Sequence, residues 1–354
     1  MLMLDDLKQM NEIDKSNMLG DVAGFPEQIS KSKEIVENSS LENIYKIDNI
    51  IISGMGSSAI TGDIIQNLFR DRIDIPIFVT RRYDLPKWAN KDTLVLSQSY
   101  SGNTEETLST FKHAYQKHCK IISLSSGGKL KEYCEKRNLP HIMIPTGVQP
   151  RAATGYLLFS SLYALLKIGI FRYEMENEIN ETISITKELR NNNKKEINKD
   201  KNLAKQLAEK INGTIPQVYG WTIYTPIAKR WCTQFNENSK LICRYDEVSE
   251  SNHNDIVGWS SNPEISKLFS CLLFRDHENE TIYLTKRFEF MKKVYSEITA
   301  NFIEIQVLGK KRLAKMMYSM YLGDFTSCYL GILRKIDPMP IPAINELKNE
   351  LLKI

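Results

Sequence analysis

The six cysteines of this 354-residue chain include no C-x-x-C pair, and no histidine partners them at metal-ligand spacing. That argues against a zinc ribbon or finger, and the thiols at 119, 134, 232, 243, 271 and 328 read as reduced cysteines of a cytosolic protein. Neither sign of charge is in large excess: 47 Lys and Arg face 43 Asp and Glu, a net charge of +4. This balance speaks against a nucleic-acid surface and is compatible with small anionic substrates. No apolar run is long enough to span a membrane. The longest, Tyr156 to Phe171, is interrupted by Ser160, Ser161 and Lys167 and falls short of the roughly 20 residues required, so it reads as a buried helix. Met1 to Asn17, broken by Asp5, Asp6, Lys8, Glu12 and Asp14, shows no targeting signal, and the cytoplasm is the expected location. Nor is there a repeat of solenoid length.

Two serine-rich segments do stand out: GMGSSAITGD at Gly54 to Asp63 and SQSYSGNTEET at Ser97 to Thr107. Each follows a short apolar run, Ile50 to Ile52 or Leu94 to Leu96, and precedes a helical pattern. Orphan N–H groups and the helix macrodipole favour an anion where a strand hands over to a helix, so a phosphate needs few cationic side chains there. Hydroxyls of Ser58, Ser99, Ser101 and Thr104 complete such a cradle. A dinucleotide loop is the rival, but glycines 54, 56 and 62 fit G-x-G-x-x-G only loosely, with Ala59 in the third slot. A pyrophosphate on one helix end does not require the second hydroxyl cluster. Ordinary Ser/Thr caps are the plainer alternative, weakened by the occurrence of two on adjacent strands.

The length suggests about two domains. In the first half, short β-rich runs (Ile50 to Ile52, Ile75 to Val79, Leu94 to Leu96, Ile121 to Leu124, His141 to Ile144) alternate with helical patterns at Ala59 to Phe69, Glu105 to Gln116 and Leu130 to Lys136. That order predicts a parallel sheet covered on both faces, with ligands at the carboxyl edge of its strands. From Arg172 to Lys210 the composition turns to Glu, Asn and Lys, with apolar residues at Met175, Ile179, Ile183 and Ile185, and predicts a partly helical connector. The second half resumes with strands at Gln217 to Trp221, Leu241 to Tyr245, Leu268 to Phe274 and Phe302 to Val307, and helices near Tyr224 to Asn236, Lys286 to Ile298, Arg312 to Leu333 and Ala343 to Lys353. The expected organisation is an α/β/α sandwich over 1–170, a connector over 171–210 and a second sandwich over 211–354.

Two polar clusters interrupt the second half, NENSK at Asn236 to Lys240 and SESNHND at Ser249 to Asp255. Glu237 falls where a helix should end, and the negative end of the macrodipole would raise its pKa towards the range of a general base. A solvated helix-end glutamate is the common alternative for an isolated case. His253 lies in a loop between Asn252 and Asn254; local sequence alone favours a surface or hydrogen-bonded histidine.

Six collinear segments from residue 53 to residue 348 carry a family resemblance: SGMGSSAITGD, SYSGNTEET, VQPRAATGYLLF, AKRWCTQFNENSK, NHNDIVGW and GDFTSCYLGILRKIDPMPIPAINELK. The chain resembles the bifunctional phosphoglucose/phosphomannose isomerases, best known from archaea and built from two sugar-isomerase (SIS) domains. The resemblance implies that Gly56, Ser57 and Ser58 of the first loop and Ser99, Ser101 and Thr104 of the second hold the phosphate of a hexose. It further implies that Arg151 faces the developing enediolate and that Glu237 moves the proton between C1 and C2. His253 would assist ring opening from the partner subunit of a homodimer, and Lys348 would stand near the ring oxygen. The reaction needs no metal and no cofactor. Departures from the family pattern are Ser57 in place of glycine, Cys232 in place of a longer polar residue, Thr154 in place of a small apolar one, and Ile341 where relatives can have threonine. A non-catalytic SIS-fold regulator that binds sugar phosphates is the alternative, as is a glucosamine-synthase-type isomerase. The first needs no base; the second normally carries an amidotransferase domain with an N-terminal nucleophilic cysteine, and Met1 to Gly20 offers none.

Overall fold

The computed structural model describes residues 3–351 and 353, apart from 43, 45, 172 and 173. Arg172 and Tyr173 of the expected connector, and Leu352 of the expected last helix, therefore lie outside the described residues.

Three helices open the chain, α1 (Leu7–Ile13), α2 (Met18–Ala23) and α3 (Phe25–Glu37). The first sheet follows as β1 (Asn49–Ser53), α4 (Gly56–Phe69), β2 (Ile77–Thr80), β3 (Thr93–Gln98), α5 (Glu105–Gln116), β4 (Lys120–Ser125), α6 (Gly128–Glu135) and β5 (His141–Met143), closed by α7 (Thr154–Lys167). Its strands are all parallel, in the order β2-β1-β3-β4-β5. The Ile50, Ile51 and Ile52 run of β1 pairs with Leu94, Val95 and Leu96 of β3, and all six side chains are fully buried. Continuous β-branched and Leu runs suit strands with helices on both faces.

The charged stretch after residue 173 is helical: α8 (Glu174–Asn193) and α9 (Leu203–Ile211). It is no loose linker. Met175, Ile179 and Leu189 of α8 are buried, and both helices pack on α14 (Arg312–Leu333). The second sheet comprises β6 (Ile215–Gly220), α10 (Thr225–Asn238), β7 (Arg244–Glu247), α11 (Asp255–Ser261), α12 (Pro263–Ser266), β8 (Phe269–Arg275), α13 (Ile282–Ile298) and β9 (Asn301–Gln306), in the parallel order β7-β6-β8-β9. Helix α14 is apolar nearly all round and is buried along its length, as such a helix must be. The chain ends in α15 (Pro342–Leu351), whose described side chains are exposed.

One apolar core runs through both halves, from Leu4 and Phe25 through Phe159 to Trp231 and Tyr321. Helix α10 lies between the halves, against α4 on one side and α14 on the other. Gly331 fixes that approach: a Cβ there would stand 2.6 Å from the Asn238 carbonyl, so any side chain would push the end of α10 away.

Candidate active site

Because β1 and β3 are neighbours, their carboxyl ends set the two serine-rich loops side by side. A Cβ at Gly54 would come within 3.0 Å of the Gln98 carbonyl oxygen, which shows how closely the loops approach. Helix α4 starts at Gly56 with no side chain capping its first turn, and α5 starts after Thr104 in the same state. Both helices thus keep orphan amides and the positive end of the macrodipole at one sheet edge. Within the second loop the buried Ser99 hydroxyl pairs with the Thr104 hydroxyl at 2.8 Å and accepts the Gly102 N–H at 3.1 Å. Ser101 accepts the Asn103 N–H at 3.2 Å and is exposed. Gly102 has φ +71°, and a Cβ there would collide with the Gly127 carbonyl, so the tight turn demands glycine.

Arg151 follows β5 at the same edge and is 2% exposed. Its Nε donates to Asn238 Oδ1 at 2.6 Å, and Nη2 donates to the carbonyls of Pro338 and Met339, both at 2.8 Å. Its Nη1 stands 3.6 Å from Glu237 Oε2. Burial presses the guanidinium below its ordinary pKa, and the carboxylate beside it pulls the other way. Glu237, in the last turn of α10, keeps 25% of its side chain exposed, so the acid of the second half meets the cation of the first. Lys240, just beyond the helix, donates to the carbonyls of Glu237 (2.7 Å), Asp337 (3.2 Å) and Pro338 (2.7 Å). Its own burial first, and the Arg151 charge second, push its pKa down to about 8.

Arg230, fully buried on α10, links the first loop to Arg151. Its Nε and Nη2 each donate to a different carboxylate oxygen of Asp324 on α14, both at 3.1 Å. Nη2 also donates to the Arg151 carbonyl at 2.6 Å, and Nη1 to Ser57 Oγ at 3.2 Å. Gln234 Nε2 donates to Asp324 Oδ1 at 2.8 Å. Ser57, expected from the family resemblance to be a departure, thus has its hydroxyl engaged by Arg230. The hydroxyl of Thr154 donates to the Arg151 carbonyl at 3.1 Å, and the Cys232 thiol to the Cys243 carbonyl at 3.1 Å.

Arg230, Gln234 and Asp324 were not singled out from the sequence, and Asn238 and Lys240 only as members of the polar cluster NENSK. A signal was there for three of them. Positions 230, 234, 237 and 238 fall on one helical face, a polar stripe on a helix whose other buried residues include Ile227, Trp231 and Phe235.

Two residues do not join the cluster in one chain. His253 is exposed in the turn after β7, whereas Glu237 precedes β7, so the length of that strand lies between them. Lys348 is exposed on α15 and makes no hydrogen bond or ion pair among the described residues.

Two parallel α/β layers with uncapped helix ends, hydroxyls and a buried cation at one edge suit a phosphorylated small molecule. The solved glucose-6-phosphate isomerase-like protein of Thermus thermophilus shares that fold, with a TM-score of 0.64 at 16% identity over 97% of this chain and 100% of its own. Residues 200–351 match the bacterial phospho-glucose isomerase C-terminal SIS domain. The bifunctional phosphoglucose/phosphomannose isomerase of Caldicellulosiruptor bescii is 40% identical over 95% of this chain and 99% of its own length. The Thermoplasma volcanium enzyme of the same name is 33% identical over 92% and 99%. The chain belongs to the bifunctional phosphoglucose/phosphomannose isomerase family.

Proposed function

We propose that this protein interconverts glucose 6-phosphate, and mannose 6-phosphate, with fructose 6-phosphate through an enediolate, with Glu237 as the proton-shuttling base. The observation that carries the reading is the Arg151–Glu237 pair at 3.6 Å, tied through Arg230 to the first hydroxyl loop. A site that only held a phosphate would need the loops and no carboxylate beside them.

In this reading the phosphate rests on the amides of α4 and α5 with Ser58, Ser99, Ser101 and Thr104, which fixes the sugar in register. The proton at C2 of the open-chain aldose is acidified by the neighbouring carbonyl. Glu237 takes it and returns it to C1, so one carboxylate serves as base and then as acid. General-base catalysis supplies about 10²–10⁴-fold, and the guanidinium of Arg151 aimed at the enediolate oxygen adds an electrostatic contribution. Burial and four fixed partners hold that cation still, so it has little reorganisation to undergo as charge develops.

We further propose a cytoplasmic homodimer in which His253 of one subunit assists ring opening in the other. Exposure of His253 on the edge of the second sheet remote from Glu237 supports a role outside its own subunit. Residues 1–170 and 211–354 are proposed as the two SIS domains, with 171–210 between them. A coupled assay on glucose 6-phosphate and mannose 6-phosphate, with and without chelator, tests the reading. Turnover of both that survives chelation is expected; binding of both without turnover would leave a sugar-phosphate sensor instead.

A further inference from the structure

The two sheets are wound alike. In each, the first strand (β1 or β6) has its immediate successor (β2 or β7) on one side and the next strand (β3 or β8) on the other. The direction of winding therefore switches between β1 and β3 in one half and between β6 and β8 in the other. Open parallel sheets take ligands in the crevice outside the carboxyl ends of the strands at such a switch. The first switch holds the serine-rich loops. The second has no part in the reaction above.

A cavity of about 740 Å³ opens at that second switch. Thr222 after β6, Asn279 and Thr281 after β8, and Lys310 and Lys311 after β9 line it, with Arg70 at the end of α4 forming the opposite wall. The volume lies within the roughly 300–1,000 Å³ of small-ligand sites. Its plan repeats that of the active site with the halves exchanged. At the active site Arg151 stands ahead of α7, the helix after the last strand of its sheet, and faces Glu237 at the end of the other half's first helix. At the crevice Arg312 opens α14, the helix after β9, donates to the Leu68 carbonyl at 3.2 Å, and pairs with Asp71 just past the end of α4. Helix α10 begins beside the crevice with no side chain capping its first turn, as α4 does at the active site.

The lining carries six cations, of which Arg72 is answered by Glu178, Arg312 by Asp71, and Lys315 by Asp276 and Glu278. Arg70, Lys310 and Lys311 have no acidic partner for their side chains among the described residues. The backbone amides of Lys310, Lys311 and Leu313 are already taken by the carboxylates of Glu181 and Glu178. An anion in this crevice must therefore be met by side chains, since the start of α10 has proline at 226 and donates the Thr225 N–H to the Thr222 carbonyl. A phosphoryl group suits that set, because it offers several acceptor oxygens to lysine, arginine and threonine donors.

We propose that this crevice is a second binding site, for a phosphorylated small molecule, held by Arg70, Lys310 and Lys311 with the hydroxyls of Thr222 and Thr281. It is separate from catalysis: α4 runs about 20 Å from Ser57 at the active site to Arg70 at the crevice, 1.5 Å for each of its 14 residues.

Calorimetric titration of the full-length protein in its native assembly, with inorganic phosphate and with fructose 6-phosphate, tests the assignment. Two phosphate sites per chain are expected in the unaltered protein. Lys310→Glu with Lys311→Glu should weaken one of them at least ~10-fold, the loss of a charge-assisted hydrogen bond, while isomerase turnover in phosphate-free buffer stays unchanged and certifies the fold. Arg70→Ala, alone, should weaken the same site. Ser101→Ala with Thr104→Ala should leave that site intact, which separates its failure from failure of the catalytic cradle. A single phosphate per chain, or two that are indifferent to both Lys310→Glu/Lys311→Glu and Arg70→Ala, overturns the proposal. So does exclusion of fructose 6-phosphate from a site that takes inorganic phosphate.

Discussion

Lys240 shows how far the site bends the chemistry of a single residue. Its pKa is pushed down to about 8 from an ordinary 10.5, so folding disfavours the ammonium form. The sign follows: the unfolded chain binds the proton more tightly, and this residue's contribution to stability is fully present above about 10.5 and lost as pH falls through about 8. Activity runs the other way. The ammonium has three N–H donors for the carbonyls of Glu237, Asp337 and Pro338, whereas the neutral amine has two, so deprotonation frees one clamp on the segment that also anchors Arg151. We expect kcat/KM to fall above pH ~8, and Lys240→Arg, which keeps its charge, to move that limb to higher pH. An unmoved limb in the pH–rate profile would assign it to another group. Ser101→Ala with Thr104→Ala acts on binding instead. Each hydrogen bond to the phosphate is worth roughly 1.5–3 kcal/mol, so affinity for sugar phosphate should drop at least ~10-fold by calorimetry; unchanged affinity would place the phosphate elsewhere.

At the scale of elements, α10 does the joining. Its polar stripe reaches Ser57 and Arg151 in the first half and Asp324 on α14 in the second. Removing one member of the buried Arg230–Asp324 pair leaves a charge without its partner. Arg230→Met should therefore destabilise the protein by ~3–5 kcal/mol in chemical denaturation. Adding Asp324→Leu should restore most of the stability without restoring activity, since Ser57 and the Arg151 carbonyl stay without the donors that Arg230 supplied. Equal stability of the single and double variants would contradict this. The strands and the serine-rich loops were legible because their signals are local: a β-branched run, a glycine turn, a helical period. Arg230 and Asp324 are 94 residues apart, and only the packing of α10 on α14 brings them together. Local signals also misjudge ends. Helix α13 begins at Ile282 rather than near Lys286, because the Thr281 hydroxyl accepts the Leu284 N–H at 3.3 Å and caps a first turn whose Ile282 and Tyr283 face solvent, outside the apolar period. Helix α4 begins at Gly56 rather than Ala59, since its glycine and serines read as loop.

The whole molecule is two similarly wound sheets sharing one core, with Glu237 on one half and the serine-rich loops on the other. Within a single chain His253 stays apart from that cluster, so the account requires a second subunit. Mixing inactive Glu237→Gln with inactive His253→Ala under subunit exchange should restore activity. Half the dimers would be mixed and each would regenerate one site, which sets a ceiling of about a quarter of wild-type sites. No recovery despite demonstrated exchange would place His253 outside the reaction. The most direct test of the central claim, that Glu237 carries the proton between C1 and C2, is solvent exchange into fructose 6-phosphate held with the enzyme in D₂O and followed by NMR. The unaltered protein should place deuterium at C1 at a rate comparable with turnover, and Glu237→Gln should do so at least ~10²-fold more slowly while still binding the sugar phosphate. Exchange at the unaltered rate in Glu237→Gln would contradict the account.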